Sequence, residues 1–224
     1  CANIGTPDGG RYDEEPPEVI GASPADKAVN VKSKKIDIFF NEYVKLANAN
    51  EKVVISPPQL EVANVRAVGK KIKITLFDSL QSDVTYTVDF SDAIEDNNEG
   101  NPMGFYTYSF STGSVIDTME MSGHVLAAEN LEPVKGVLVG LYRADSTYDD
   151  SLFRTRPFIR VSRTNGSGQF SIKGIAPGQY RVFALQDVDG DYRFSQKSEA
   201  IAFDTTIYVP SSKPDLRMDT CWRD

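Results

Sequence analysis

The side chains able to do chemistry are few in kind. His124 is the only histidine among 224 residues. A two-histidine zinc site therefore cannot form, and a Ser-His-Asp triad would have a single base to draw on. Its plainer reading is a strand residue near a domain edge. Carboxylates are plentiful, 32 Asp and Glu against 24 Lys and Arg, so residue type alone permits a glycosidase pair. The run Asp187-Val188-Asp189-Gly190-Asp191 alternates the oxygen ligands that calcium favours. Asp187, Asp189 and Asp191 are thus the candidate ligands of a calcium ion. The run departs from an EF-hand: its glycine stands fourth, no glutamate stands twelfth, and Glu199 comes one place late. The other reading is a solvated acidic turn between two strands. Tyr106 and Tyr108 lie in the aromatic stretch Phe105 to Phe110. They belong either to a core or to an exposed platform for sugar or protein contact. The two cysteines, Cys1 and Cys221, permit a disulfide in an oxidising compartment.

These side chains need strands to position them. Val161 to Tyr192 organises the chain. Asn165-Gly166 predicts a tight hairpin, because a type I′ turn needs positive φ at both central positions. Gln169 to Lys173 alternates, with Phe170 and Ile172 on one face. Pro177-Gly178 supplies a turn. Tyr180, Val182 and Ala184 then oppose Arg181, Phe183 and Leu185, and apolar residues on both faces predict a central, doubly packed strand. Upstream, Ile36, Ile38 and Phe40 alternate, Gly69-Lys70 joins two strands, and Ile72, Ile74 and Leu76 point inward. Asp92 to Pro102 and Asp145 to Arg156 read as polar loops. No long helix is predicted. Regular short strands divided by turns every 8–12 residues argue antiparallel sandwiches.

Two resemblances sharpen this. Pro24 to Val31, Ile36 to Glu42, Leu80 to Val88 and the closing Phe110-Ser111-Thr112-Gly113 resemble the bacterial Ig-like domain first described in S-layer proteins. Gly123-His124-Val125, Val137 to Tyr142, Thr164 to Phe170 and Gly174 to Tyr180 resemble the carboxypeptidase regulatory-like domain. That family has a transthyretin-like (prealbumin-like) sandwich and is close in pattern to collagen-adhesin B-type repeats. Such repeats often carry a Lys–Asn isopeptide bond, but the last strand, Ala200 to Val209, offers no asparagine. The expected architecture is all-β, two tandem antiparallel sandwiches. Residues 1–17 form a flexible tether, 18–113 the Ig-like domain, 114–118 a linker in which Val115 and Ile116 pack between domains, and 119–209 the regulatory-like domain. Residues 210–224 form a tail or the start of a further region.

Cys1-Ala2-Asn3 resembles the mature start of a bacterial lipoprotein, and the sequence through Val19 is similar to lipoproteins of Bacteroidetes. The resemblance implies that the Cys1 thiol carries the lipid. A sequence that merely begins at this residue is the alternative. Asp150-Ser151-Leu152 resembles the O-glycosylation triplets of Bacteroidetes envelope proteins, which makes Ser151 an acceptor candidate. A net charge of −8 argues against nucleic acid and against electrostatic docking on an anionic membrane. No apolar run approaches the ~20 residues of a spanning helix. Neither resembled family implies catalysis. The expected function is a non-catalytic, lipid-anchored outer-membrane module that binds, presents or supports an envelope protein or glycan, on the periplasmic or the surface face. The alternative is an accessory region of a glycan-handling or peptidase enzyme whose catalytic part lies elsewhere.

Overall fold

The computed structural model describes residues 14–212 and 219–221. The first unit runs β1 (Val19–Ser23), β2 (Lys35–Phe40), β3 (Val44–Leu46), α1 (Ala49–Lys52), β4 (Val54–Ser56), β5 (Asn64–Val68), β6 (Lys71–Thr75), β7 (Thr85–Ser91), β8 (Ile94–Asp96) and β9 (Tyr106–Ser111). One antiparallel sheet has the order β1-β2-β6-β5, the other β4-β7-β9, and β3 pairs with β8 at one end. Period-two alternation decides what lies between the sheets. Ile36, Ile38 and Phe40 stand beside Ile72, Ile74 and Leu76 on one sheet's inner face, all at most 1% exposed, and Tyr86, Val88, Phe90, Tyr108 and Phe110 close the core from the second sheet. The Tyr86 and Phe110 rings stack 5.1 Å apart.

The second unit runs β10 (Met119–Leu126), β11 (Leu138–Arg143), α2 (Leu152–Thr155), β12 (Arg160–Arg163), β13 (Gln169–Ile175), β14 (Tyr180–Leu185), β15 (Ile201–Phe203) and β16 (Asp219–Cys221). A three-stranded sheet β13-β10-β16 packs on a four-stranded sheet β12-β11-β14-β15. The chain is therefore all-β, two antiparallel sandwiches in tandem. β11 and β14 are packed on both faces: Val139, Leu141, Val182 and Ala184 enter the inter-sheet core. Leu138, Tyr142, Phe183 and Leu185 enter a second cluster on the outer face.

Several expectations change. Asn165-Gly166 does not make a type I′ hairpin. The positive φ falls on Gly168, at 70°, while Asn165 Oδ1 accepts from Ser167 N at 2.9 Å and Gln169 N at 3.0 Å. The turn carries the chain from one sheet to the other, since β12 and β13 belong to different sheets. Asp92 to Pro102 contains β8, whose Ile94 is fully buried. Asp145 to Arg156 contains α2, whose Phe153 stacks 6.0 Å from Phe183. Residues 219–221 are not tail: they add a strand parallel to β10. Val115 is 67% exposed, and the junction is made instead by polar groups together with Val54, which packs on the outer cluster of the second unit.

Candidate functional site

The junction between the sandwiches is built where two sheet edges meet. β4 ends one sheet and β12 ends another, and an open edge leaves N–H and C=O groups unpaired. Here the edges satisfy each other through side chains. Val161 N donates to Ser56 Oγ at 3.0 Å. The Arg160 guanidinium donates to the carbonyls of Thr85, Ser56 at 3.3 Å and Lys173 at 2.5 Å, and to Thr87 Oγ1 at 3.4 Å. Lys173 Nζ donates to Thr107 Oγ1 at 2.9 Å. Gly174 permits this approach: a β-carbon there would meet Arg160 Nη2 at 2.5 Å and Thr87 Cγ2 at 2.8 Å, and its φ is +66°. The linker is pinned to the same spot. Asp117 N donates to Thr85 Oγ1 at 2.8 Å, and that hydroxyl donates to Asp117 Oδ2 at 2.9 Å.

Arg160 is 6% exposed. Burial pulls its pKa down to about 10, against the opposing pull of the Asp117 charge. It stays a cation at neutral pH, solvated by carbonyls in place of water. A crevice of about 270 Å³ opens beside it, reaching Asp83, Asp117, Arg143 and Arg156. A wider groove of about 1190 Å³ also spans the junction, floored by Ser122, His124, Gln169 and Ser171 and rimmed by Phe105, which is 79% exposed. His124 thus lies on the outer face of β10, opposite Gln169.

The acidic loop brings Asp187, Asp189 and Asp191 together, one carboxylate oxygen of each lying within 4.8 Å of the others. Each carboxylate also has donors inside the loop. Asp187 accepts from Gly190 N at 3.0 Å and Tyr192 N at 3.2 Å. Asp189 accepts from Gln196 Nε2 at 2.6 Å, and Asp191 pairs with Arg193 Nε at 2.7 Å. Burial raises the Asp187 pKa; the Gly190 and Tyr192 amides oppose the rise, while the Asp191 and Asp189 charges add to it. Glu199, a near miss as a calcium ligand by position, organises the loop. It is 5% exposed and accepts from Ser195 N at 2.9 Å, Gln196 N at 3.0 Å and Val188 N at 3.3 Å.

The aromatic pair does not form an exposed platform. Tyr106 and Tyr108 share the inward face of β9 with Phe110, because all three are two residues apart. Tyr108 is fully buried and donates to Pro24 O at 2.9 Å. Tyr106 stacks 5.9 Å from Phe90, and its pKa is pushed up to about 12 by burial and then by the Asp26 charge. The stretch's exposed aromatic is Phe105. Ser151 is exposed at the start of α2. Cys1 lies outside the described residues, and so does the side chain of Cys221. The residue missed outright is Arg160. Its signals were a charge inside the strand Phe158 to Arg163 and a glycine ending the strand Gln169 to Lys173, since strand glycine marks close backbone approach.

Residues 13–112 match the family described as bacterial Ig-like domain. Comparison with curated proteins gives no match. The N-terminal part of the bacterial S-layer protein SbsC is 17% identical, over 83% of this chain and 43% of its own, with a TM-score of 0.30. BcpA, the major pilin subunit of Bacillus cereus, is 10% identical over 92% of this chain and 71% of its own, at 0.27. An L,D-transpeptidase from Mycobacterium smegmatis is 14% identical over 58% of this chain and 56% of its own, at 0.28. The chain thus spans less than half of the S-layer fragment.

Proposed function

We propose that this chain is a non-catalytic cell-envelope module whose two sandwiches, an Ig-like one and a transthyretin-like one of the carboxypeptidase regulatory kind, act as one rigid unit. The observation that carries this reading is the junction at Arg160. A chain built only to link two independent domains has no need to bury a guanidinium between them, whereas a spacer that holds a surface at fixed orientation does. The match of residues 13–112 to the bacterial Ig-like family supports an envelope setting. No described helix is long and apolar enough to cross a membrane.

Attachment then falls to Cys1 as the lipidated residue of an outer-membrane lipoprotein, with residues 1–17 as tether. The partner is an envelope protein or glycan. The contact regions are the exposed parts of two excursions, Asp145 to Arg156 and Asp187 to Asp191, with Ser151 as the acceptor where the chain is itself glycosylated. The first excursion also covers the outer cluster of the second sandwich through Leu152 and Phe153, and Tyr192 and Phe194, directly after the second, pack there too. Deleting either would therefore damage the fold, and point changes at exposed Asp149 and Asp150 are the proper probe. Cys1→Ser in the precursor should move the protein from membranes to the soluble fraction, and unchanged partitioning would remove the anchor. The doubled change Asp149→Ala, Asp150→Ala should weaken capture of a specific envelope partner. Turnover of a glycan, ester or peptide by the pure chain would overturn the non-catalytic reading.

A further inference from the structure

The crevice beside Arg160 faces charges of both signs that the protein leaves unpaired. The exposed Arg143 and Arg156 line it, with Asp83 from the turn before β7, Asp117 from the linker and Arg160 from β12. Among the described residues, none of these three arginines makes an ion pair, and neither does Asp83 or Asp117. Arg160 Nε is buried and has no hydrogen-bond acceptor. Neighbouring contacts hold the Arg143 and Asp117 side chains and the Arg156 backbone. The Arg143 guanidinium lies over the Tyr180 ring, 5.5 Å from its centroid. The Tyr142 hydroxyl donates to the Arg156 carbonyl at 2.6 Å. Thr85 Oγ1 donates to Asp117 Oδ2.

Mixed charge at this size is selective. A bare anion would meet the two carboxylates, a bare cation would meet the guanidiniums, and a neutral sugar would leave the arginines unmatched. A ligand with one carboxylate and several donor hydroxyls satisfies both sets: bidentate guanidinium contact for the carboxylate, and aspartate acceptors for the hydroxyls. A volume of about 270 Å³ falls just below the roughly 300–1,000 Å³ of drug-sized ligand pockets, which limits the ligand to a single substituted ring.

We propose that the crevice binds a single carboxylate-bearing sugar unit of the uronic acid class, its carboxylate on Arg143 and Arg156 and its hydroxyls on Asp83 and Asp117. Arg160 is the positioning residue. Its bonds to carbonyls of both sandwiches fix the distance across the crevice. The proposal deepens the reading of the chain as a binding module and rests on it. Its test uses free sugars and the pure chain, so it can fail without touching the membrane anchor or the envelope partner, which are read separately.

Calorimetric titration of the full chain should be run with D-glucuronate, D-glucose, acetate and L-alanine. Saturable glucuronate binding is expected, at least about tenfold tighter than for the other three, a difference of about 1.4 kcal/mol. Arg156→Gln, a change at an exposed side chain, should lower glucuronate affinity by about tenfold or more while the unliganded melting temperature stays put. Asp83→Asn should weaken glucuronate and leave any residual acetate binding unchanged. Absence of saturable glucuronate binding at tens of millimolar would overturn the proposal. Equal affinity for glucose would overturn the role of the arginines, and equal affinity for alanine would overturn the sugar assignment.

Discussion

Arg160 holds its charge in a site that burial disfavours, and the acceptors around it decide the outcome. Replacing it with methionine removes the desolvated charge but takes the guanidinium from the carbonyls of Thr85 and Lys173 and leaves that of Ser56 only the Thr87 hydroxyl at 3.5 Å. Each orphaned buried acceptor costs about 1–3 kcal/mol, more than the relief of the charge returns. Arg160→Met should therefore lower stability by roughly 2–4 kcal/mol in denaturant titration. An unchanged midpoint would show that the guanidinium is not what joins the domains. Asp187 works the other way. Its folded pKa is raised, so the folded state holds the proton more tightly than the unfolded chain. The stability this gives is present at low pH and lost as pH rises through the folded value. Asn can accept from only one of the two amides that bond the carboxylate, so the sign to read is the pH dependence. The melting temperature of Asp187→Asn relative to the native protein should be higher at pH 7 than below the ordinary carboxylate value of about 3.9. Calcium addresses the same carboxylates. If Asp187, Asp189 and Asp191 chelate it in competition with Arg193, millimolar calcium should stabilise the native protein and Asp189→Ala should abolish the gain. No calcium shift would leave an acidic turn held by its own amides and Arg193.

At the scale of elements, what alternation encodes was readable and what tertiary contact encodes was not. Ile36, Ile38 and Phe40 announce β2, and the two-faced pattern of Tyr180 to Leu185 announces a central strand. Both patterns are local, so the sequence carries them openly. β8 was hidden because Ile94 to Asp96 is three residues long and flanked by turn formers. Its Asp96 carboxylate accepts from Asn98, Glu99 and Asn101 amides at 2.7 Å, which is loop chemistry at the end of a strand. α2 was hidden because one helical turn has no period to read; Phe153 docking on Phe183 holds it in place. The turn at Asn165-Gly166 was placed correctly and given the wrong geometry. A two-residue hairpin joins paired strands, and these strands part to different sheets. Gly174, at the end of β13, marks the contact that matters most here. Gly174→Ala combines positive-φ strain with a clash against Arg160 and Thr87, and should cost roughly 2–5 kcal/mol. Gly136→Ala serves as the control. It has positive φ but no atom within 4 Å, so it should show the strain alone. Equal losses for the two would remove the close-approach account of the junction.

At the scale of the whole molecule, the sequence showed two domains and said little of how they meet. It suggested apolar packing by Val115 and Ile116, but Val115 is exposed and the joint is made by the buried Arg160, its acceptors and Val54. Which edges face each other is settled by contacts 73 to 105 residues apart in the chain, and no local pattern reports such distances. The acidic triplet could be read from spacing alone. The crevice could not, because its lining comes from both sandwiches and the linker. The claim on which the rest depends is that the sandwiches move as one body, since only then do junction and crevice keep their geometry. Backbone ¹⁵N relaxation of the full chain measures this directly. The account predicts that amides of residues 18–113 and 119–209 fit one anisotropic rotational diffusion tensor, and that Arg160→Met separates them. Two independent correlation times in the native protein would contradict it.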